Sequence, residues 1–178
     1  MKTSKKLAFS SILTALCFIL MLIGSFFGSL DLTSAALASF CIIIAVAEMG
    51  YGNAALIYAA ASVLAFLLLP SKSPALLFAA FLGYYPIVKS LSEKLSGLYS
   101  YLIKFVSFAA AFWVIYFIVI KFATVDPELQ RLFIPALLIP AFLIAALVFL
   151  IYDFALTRII SLYCRSLRSR LGINKLFK

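Results

Sequence analysis

The 178-residue chain contains no histidine, three cysteines and six acidic residues. Histidine is the commonest metal ligand and the commonest general base near neutral pH, so its absence counts against zinc proteases and histidine-dependent hydrolases. Cys17, Cys41 and Cys164 are widely spaced, and the first two lie in apolar segments. The sequence therefore predicts no disulfide framework, no Cys-x-x-Cys metal site and no bound cofactor.

Charge of either sign is scarce. Only 12% of the residues are charged and 66% are hydrophobic, whereas soluble domains have roughly 25% charged and 45–50% apolar residues. This composition predicts an all-α integral membrane protein that spans the bilayer several times. The net charge of +9 would suggest nucleic acid in a soluble domain. In a membrane protein anionic lipid is the expected counter-ion, and no nucleic-acid partner is predicted.

Six apolar segments are separated by polar or Gly- and Pro-containing breaks. A helix rises about 1.5 Å per residue, so roughly 20 residues cross a hydrocarbon core of about 30 Å. The sequence predicts a single domain, 1–178, with spans at about 7–27, 34–49, 53–69, 75–91, 98–122 and 132–162 and a basic tail. In the fourth span, Gly83-Tyr84-Tyr85-Pro86 predicts a kink whose freed backbone groups neighbouring helices must satisfy.

Lysine and arginine are distributed unevenly between the two sides of this arrangement. With the N-terminus inside, twelve lie on the inner side: Lys2, Lys5, Lys6, Lys89, Lys94, Lys104, Arg158, Arg165, Arg168, Arg170, Lys175 and Lys178. Three lie on the outer side: Lys72, Lys121 and Arg131. Positive residues are retained in the cytoplasm, so this bias predicts a plasma-membrane protein with both termini cytoplasmic.

The basic start resembles that of a secretory signal peptide. Signal peptides, however, have an apolar region of roughly 7–15 residues. The run Leu7–Phe27 is longer, so we predict a first transmembrane helix that is not cleaved.

Four charged residues lie near the predicted inner ends of the spans: Glu48, Lys89, Lys104 and Asp153. A charge inside a membrane needs a partner or a wet site, and these residues are expected to form interfacial ion pairs with one another. A coupling or docking role and a proton relay are the alternatives. An intramembrane enzyme is disfavoured, because the sequence offers neither a histidine base nor paired acids in the middle of a span.

The outer ends of the spans carry a second polar set. Loops gather Asp31, Lys72, Lys121 and Arg131, together with Asp126, Glu128 and Gln130. Trp113 and Tyr116 lie one helical turn apart in the outer half of the fifth span. We predict that Asp31, Lys72, Trp113, Tyr116, Lys121 and Arg131 line an outward-facing pocket for a small organic molecule. The alternative is an interfacial aromatic belt with solvated loop charges.

Small residues recur on one face of the first helix. Ser11 and Ala15 are four residues apart, and Ala8 lies one turn before them. Small residues at this spacing let another helix approach closely. Because small residues are common throughout the apolar helices, spacing alone favours internal packing over an external partner.

The segment Lys5–Leu16 runs from a lysine pair into the small-residue pair Ser11-Ile-Leu-Thr-Ala15. With the chain length, the six spans, both ends inside and the basic tail, it resembles the substrate-binding S components of energy-coupling factor (ECF) vitamin transporters. The resemblance covers the whole chain in topology and only the first helix in motif. In that family an Ala-x-x-x-Ala pair docks onto a transmembrane coupling subunit, and Ser11 replaces the first alanine here.

The resemblance implies a six-helix bundle that holds a vitamin-like molecule near the extracellular side. The loop between the first two helices, here 28–34, would cover it, and two ATPases would drive delivery through the coupling subunit. Substrate residues differ between S components, so the resemblance assigns none. The competing interpretation is a membrane assembly or scaffold protein of the cell envelope, which needs no transported ligand.

Overall fold

The computed structural model describes residues 2–94, 97–121, 138–163 and 165. Within these residues every regular element is a helix, which confirms the predicted all-α class for this part of the chain. The elements are α1 (Lys2–Phe26), a 3₁₀ turn (Gly28–Leu30), α2 (Asp31–Met49), α3 (Tyr51–Leu68), α4 (Ser73–Leu77), a π-helical segment (Phe78–Leu82), α5 (Tyr85–Ser92), α6 (Leu98–Lys121) and α7 (Leu138–Leu162).

Six helical stretches of the described residues are long and apolar enough to cross a membrane, which confirms the predicted number and fits a multi-pass membrane protein. They are Ser4–Phe26, Gly28–Met49, Tyr51–Leu68, Ser73–Ser92, Tyr99–Val119 and Ile139–Leu162. The fourth stretch combines α4, the π-helical segment and α5. The predicted start of the last span, at residue 132, lies outside the described residues, as do the loop 123–131 and most of the basic tail.

The first two helices begin earlier in the structure than in the prediction. Lysine is a good helix former, so α1 extends back to Lys2 through the polar start of the chain. Asp31 opens α2, where a negative charge is favoured by the positive end of the helix dipole. The expected loop at 28–34 is therefore one 3₁₀ turn followed directly by helix.

α1 and α2 pack closely next to this turn. A Cβ atom at Gly24 would overlap the side chain of Ser34 on α2. Near the same point, Ser71 N donates to Ser25 Oγ at 2.8 Å, which ties α1 to the segment before α4. Glycine at position 24 thus sets the distance between the first two helices.

Gly24→Ala is expected to force α1 and α2 apart and to lower the free energy of unfolding by about 1–3 kcal/mol, the usual cost of overpacking. Thermal unfolding in detergent measures the change. Gly28→Ala is the matched control, because a Cβ atom there meets nothing within 4 Å. Equal stability of the two variants would contradict the close approach at Gly24.

The fourth span is broken near its middle. Gly83 N donates to Phe78 O at 2.7 Å, five residues back instead of four. Pro86 has no N–H, so Leu82 O loses its usual donor within the helix. The α-helix is thus interrupted at the place where Gly83-Tyr84-Tyr85-Pro86 predicts a kink.

Tyrosine hydroxyls from neighbouring helices satisfy the freed carbonyls. The Tyr152 hydroxyl of α7 lies 3.1 Å from Leu82 O and 2.8 Å from Ser39 Oγ of α2. Tyr58 of α3 donates to Ala79 O at 2.6 Å. In lipid, where water is not available, such donors are needed wherever a helix is broken.

The core is built from small residues on α2 and α3 and from large side chains around the broken span. Fully buried alanines let the helices approach closely; they are Ala35, Ala38, Ala45, Ala54, Ala61 and Ala65. The largest fully buried side chains include Tyr85, Phe78 and Lys89. Lys89 carries a charge, so its burial must be compensated by the groups around it.

Candidate functional site

The Lys89 ammonium lies fully buried between α5 and α7, with 0% of the side chain exposed. It forms an ion pair with Asp153 Oδ1 and donates to Asp153 O at 2.6 Å and to Thr157 Oγ1 at 2.7 Å. An ammonium has three N–H donors, so these three oxygen atoms satisfy it completely. Burial of this charge is therefore compensated within the protein.

Further polar groups surround this ion pair. Tyr85 donates to Asp153 Oδ1 at 2.6 Å, and Lys104 Nζ of α6 lies 3.5 Å from Asp153 Oδ2. The Glu93 carboxylate lies 3.8 Å from Lys89 Nζ and 4.0 Å from Lys104 Nζ. We call these residues the Lys89 cluster: Tyr85, Lys89, Glu93, Lys104, Asp153 and Thr157. Its two positive and two negative charges cancel.

Exposure increases across the Lys89 cluster. The Lys89 side chain is buried, whereas 42% of the Glu93 side chain is exposed. The contacts lengthen in the same direction, from the short bonds of Lys89 to the longer contacts of Glu93 and Lys104. The cluster therefore has a fixed interior and a looser outer rim.

Aromatic rings enclose the interior side of the cluster. The rings of Phe81 and Tyr85 lie 4.8 Å apart, and those of Phe108 and Phe149 are stacked at 4.8 Å. Phe81 also meets Phe149 edge to face at 5.6 Å. Such packing keeps water away from the interior side of the ion pair and strengthens it electrostatically.

The predicted pairing of Lys89, Lys104 and Asp153 is confirmed. Glu48, expected to join them, accepts a hydrogen bond from the Tyr163 hydroxyl at 3.1 Å. Sequence reasoning missed Tyr85, Glu93 and Thr157. The available signal was spacing: Tyr85 and Lys89 are four residues apart, as are Asp153 and Thr157, so each pair shares a helix face.

Asp31 and Lys72, two of the predicted substrate-binding residues, lie near the start of the fourth span. The Lys89 cluster lies at the other end of this span. The Asp31 side chain is buried at the start of α2. Lys72 Nζ donates to Leu69 O at 2.6 Å, at the carboxyl end of α3. Each charge is therefore opposite in sign to the end of the helix dipole beside it, which is a stabilising arrangement. That these two residues bind a ligand stays a prediction.

Trp113 and Tyr116 contact each other as their spacing predicts. Their rings meet edge to face at 5.5 Å, and 50% of Trp113 is exposed on α6. Lys121 ends α6, but its side chain lies outside what the structure describes. Arg131 lies outside the described residues altogether, with Asp126, Glu128 and Gln130.

Ser11 and Ala15 are both exposed on α1. The Ser11 hydroxyl donates to Leu7 O at 3.0 Å, so its polar group is satisfied within the helix. Leu13 and Cys17 are buried against the rest of the protein. The small-residue pair therefore lies on the part of α1 that remains accessible.

Three features of the described residues bear on function: the Lys89 cluster, the exposed Ser11–Ala15 face and the Trp113–Tyr116 pair. Among these residues no group of three or more cysteine, aspartate or glutamate side chains is placed to hold a metal ion. No protein-family model, curated protein or solved structure matches this chain significantly.

Proposed function

We propose that this protein is the substrate-binding subunit, or S component, of an ECF-type transporter in the plasma membrane. It would capture a small, vitamin-like organic molecule from the outer side and deliver it through a transmembrane coupling subunit and a pair of ATPases. The observation that carries the proposal is the exposed Ser11–Ala15 pair on the first of six spans. Its side chains are small and its hydroxyl is satisfied, so a partner helix can approach closely.

The proposal requires both termini to be cytoplasmic. The twelve-to-three distribution of lysine and arginine supports this orientation. Lys72, before α4, would then be outside and Lys94, after α5, would be inside. Delivery to ATPases would take place on the side that carries the Lys89 cluster.

Cysteine labelling tests this orientation. A membrane-impermeant maleimide is expected to label Lys72→Cys in intact cells and Lys94→Cys only after permeabilisation. Both substitutions are made together with Cys164→Ser, and the Cys164→Ser variant alone is the control, because the two remaining cysteines, Cys17 and Cys41, are buried. The reverse labelling pattern would overturn the orientation.

The ligand is proposed to bind at the outer ends of the helices. Half of the Trp113 surface is exposed, so its indole is accessible for stacking. In the predicted topology Lys72, Lys121 and Arg131 would supply positive charge on the same side, which suits a ligand with an anionic group. In this assignment the protein only binds and releases its ligand, so no residue needs catalytic power.

Trp113→Ala is expected to weaken binding about ten- to a hundredfold, because loss of a stacking aromatic ring costs roughly 1–3 kcal/mol. The ligand is the compound that mass spectrometry identifies in the purified protein, and calorimetry measures its affinity. Phe105→Ala is the matched control, since this aromatic residue is also on α6 and 56% exposed but lies two turns nearer the other end. Equal loss in both variants, or no organic compound in the protein, would contradict the outer site.

The second candidate is a membrane assembly protein of the cell envelope. It is favoured by a second exposed face of small residues on α3, which includes Ala55, Ala59 and Ala60. Two such faces fit a scaffold that contacts several membrane partners. This alternative predicts neither a bound organic compound nor ATPase partners.

A further inference from the structure

The Lys89 ammonium is surrounded by oxygen atoms in the way that a cation is held in a binding site. Its three contacts are a carboxylate oxygen and a backbone carbonyl of Asp153 and the hydroxyl of Thr157. All three are hard oxygen ligands, the type that binds monovalent cations inside membrane proteins. Thus the ammonium occupies a three-oxygen site that satisfies all of its donors.

The oxygen atoms are also held by contacts that do not involve Lys89. Asp153 and Thr157 both belong to α7, four residues apart, whereas Lys89 reaches them from α5. Thr157 Oγ1 also donates to Asp153 O at 2.9 Å, and Tyr85 holds Asp153 Oδ1 at 2.6 Å. A site fixed by its own helix and by a neighbouring hydroxyl is expected to keep its geometry when its occupant is removed.

The charge around the site suits a single positive charge. One carboxylate, that of Asp153, contacts the occupant directly, while Glu93 is 3.8 Å away. Lys104 lies 3.5 Å from the second Asp153 oxygen and disfavours a divalent ion by repulsion. The ligand class is therefore a small monovalent cation.

We propose that Asp153 and Thr157 form a monovalent-cation site in which Lys89 is the permanent, tethered occupant. A tethered ammonium can neither dissociate nor cross the membrane, so this site cannot carry a coupling ion. That consequence for energy coupling rests on the proposed function and agrees with transport driven by separate ATPases. The cation site itself rests on geometry alone.

Lys89→Ala removes the occupant and leaves the oxygen atoms in place. In detergent with choline chloride, whose cation is too large for the site, the unfolding midpoint is expected to fall by about 10 °C, because Asp153 loses its buried partner. Ammonium chloride at equal ionic strength is expected to restore about 3 °C by binding to the folded state. The unmodified protein is expected to unfold at the same temperature in both salts.

Two control variants make the test specific. Lys104→Ala removes an ammonium whose contacts are only long ones, and it is expected to show no difference between the two salts. Lys89→Ala combined with Asp153→Asn removes the charged ligand and is expected to lose the ammonium effect. Equal ionic strength ensures that screening does not contribute to the comparison.

Three results would overturn the proposal. They are equal midpoints of Lys89→Ala in both salts, an ammonium effect that persists in the double variant, and failure of Lys89→Ala to fold in ammonium as well as in choline. In each case Lys89 would be an ion-pair partner and nothing more. These midpoints do not depend on the proposed function. The proposed function is contradicted by a different result, the absence of ATPases from the purified protein.

Discussion

Asp153→Ala is expected to lower the free energy of unfolding by about 3–5 kcal/mol, the cost of leaving a buried charge without its partner. Lys89 is fully buried and its ion pair with Asp153 would be lost, while its bonds to the backbone carbonyl and to Thr157 remain. Tyr85 would lose its acceptor as well. Urea or thermal unfolding of the purified protein in detergent measures this change.

The matched control removes both charges together. Lys89→Met combined with Asp153→Leu keeps similar side-chain volumes and leaves Lys104 and Glu93 to pair with each other. Since a buried ion pair often stabilises little more than apolar residues of the same size, the double variant is expected to be at least about 2 kcal/mol more stable than Asp153→Ala. A double variant that is less stable than the single one would show that the pair contributes net stability.

Ala15→Leu is expected to reduce recovery of the coupling subunit by more than tenfold, because a large side chain on the Ser11–Ala15 face keeps the partner helix away. Ala15 is exposed in the structure, so the free protein is expected to unfold at nearly the same temperature as before. Affinity purification followed by quantitative mass spectrometry measures the partner, and thermal unfolding measures the free protein.

Ala110→Leu is the control for this experiment. It makes the same substitution at an exposed alanine of α6, outside the Ser11–Ala15 face, and is expected to leave partner recovery unchanged. If Ala15→Leu destabilises the free protein without reducing partner recovery, the small-residue pair packs internally. The resemblance to S components would then lose its only motif.

The number and order of the spans followed from the sequence because apolar length alone determines which segments can cross a bilayer. The starts of α1 and α2 did not follow from the sequence, because Lys2 and Asp31 are polar residues that a helix end accommodates well. The break in the fourth span was predictable from Pro86, which cannot donate to Leu82 O. Its compensation by Tyr152 was not, because that contact joins residues far apart in sequence.

The Lys89 cluster was predictable only in part. The cost of an isolated charge in a membrane makes Lys89 and Asp153 natural partners. Tyr85 and Thr157 carry no such cost on their own, so only the packing of α5 against α7 shows that they complete the site. Glu93 lies between the predicted fourth and fifth spans, and its place in the cluster follows from its position directly after α5, four residues after Lys89.

The predicted outer site also could not be derived fully from the sequence. Sequence places Asp31, Lys72 and Trp113 toward one end of their helices, but it does not give the direction of a side chain. In the structure Lys72 turns back to the carbonyl of Leu69, directly after α3, while Trp113 is half-exposed. The number of spans can thus be derived from apolar length, whereas a ligand site depends on side-chain directions that packing sets.

Purification from native membranes tests the central claim most directly. A tagged copy of the protein, extracted in a mild detergent and quantified by mass spectrometry, is expected to bring down one transmembrane coupling subunit and a pair of ATPases in comparable amounts. A small organic compound is expected with it. Recovery of the protein with cell-envelope proteins and without ATPases would contradict the S-component assignment and favour the scaffold.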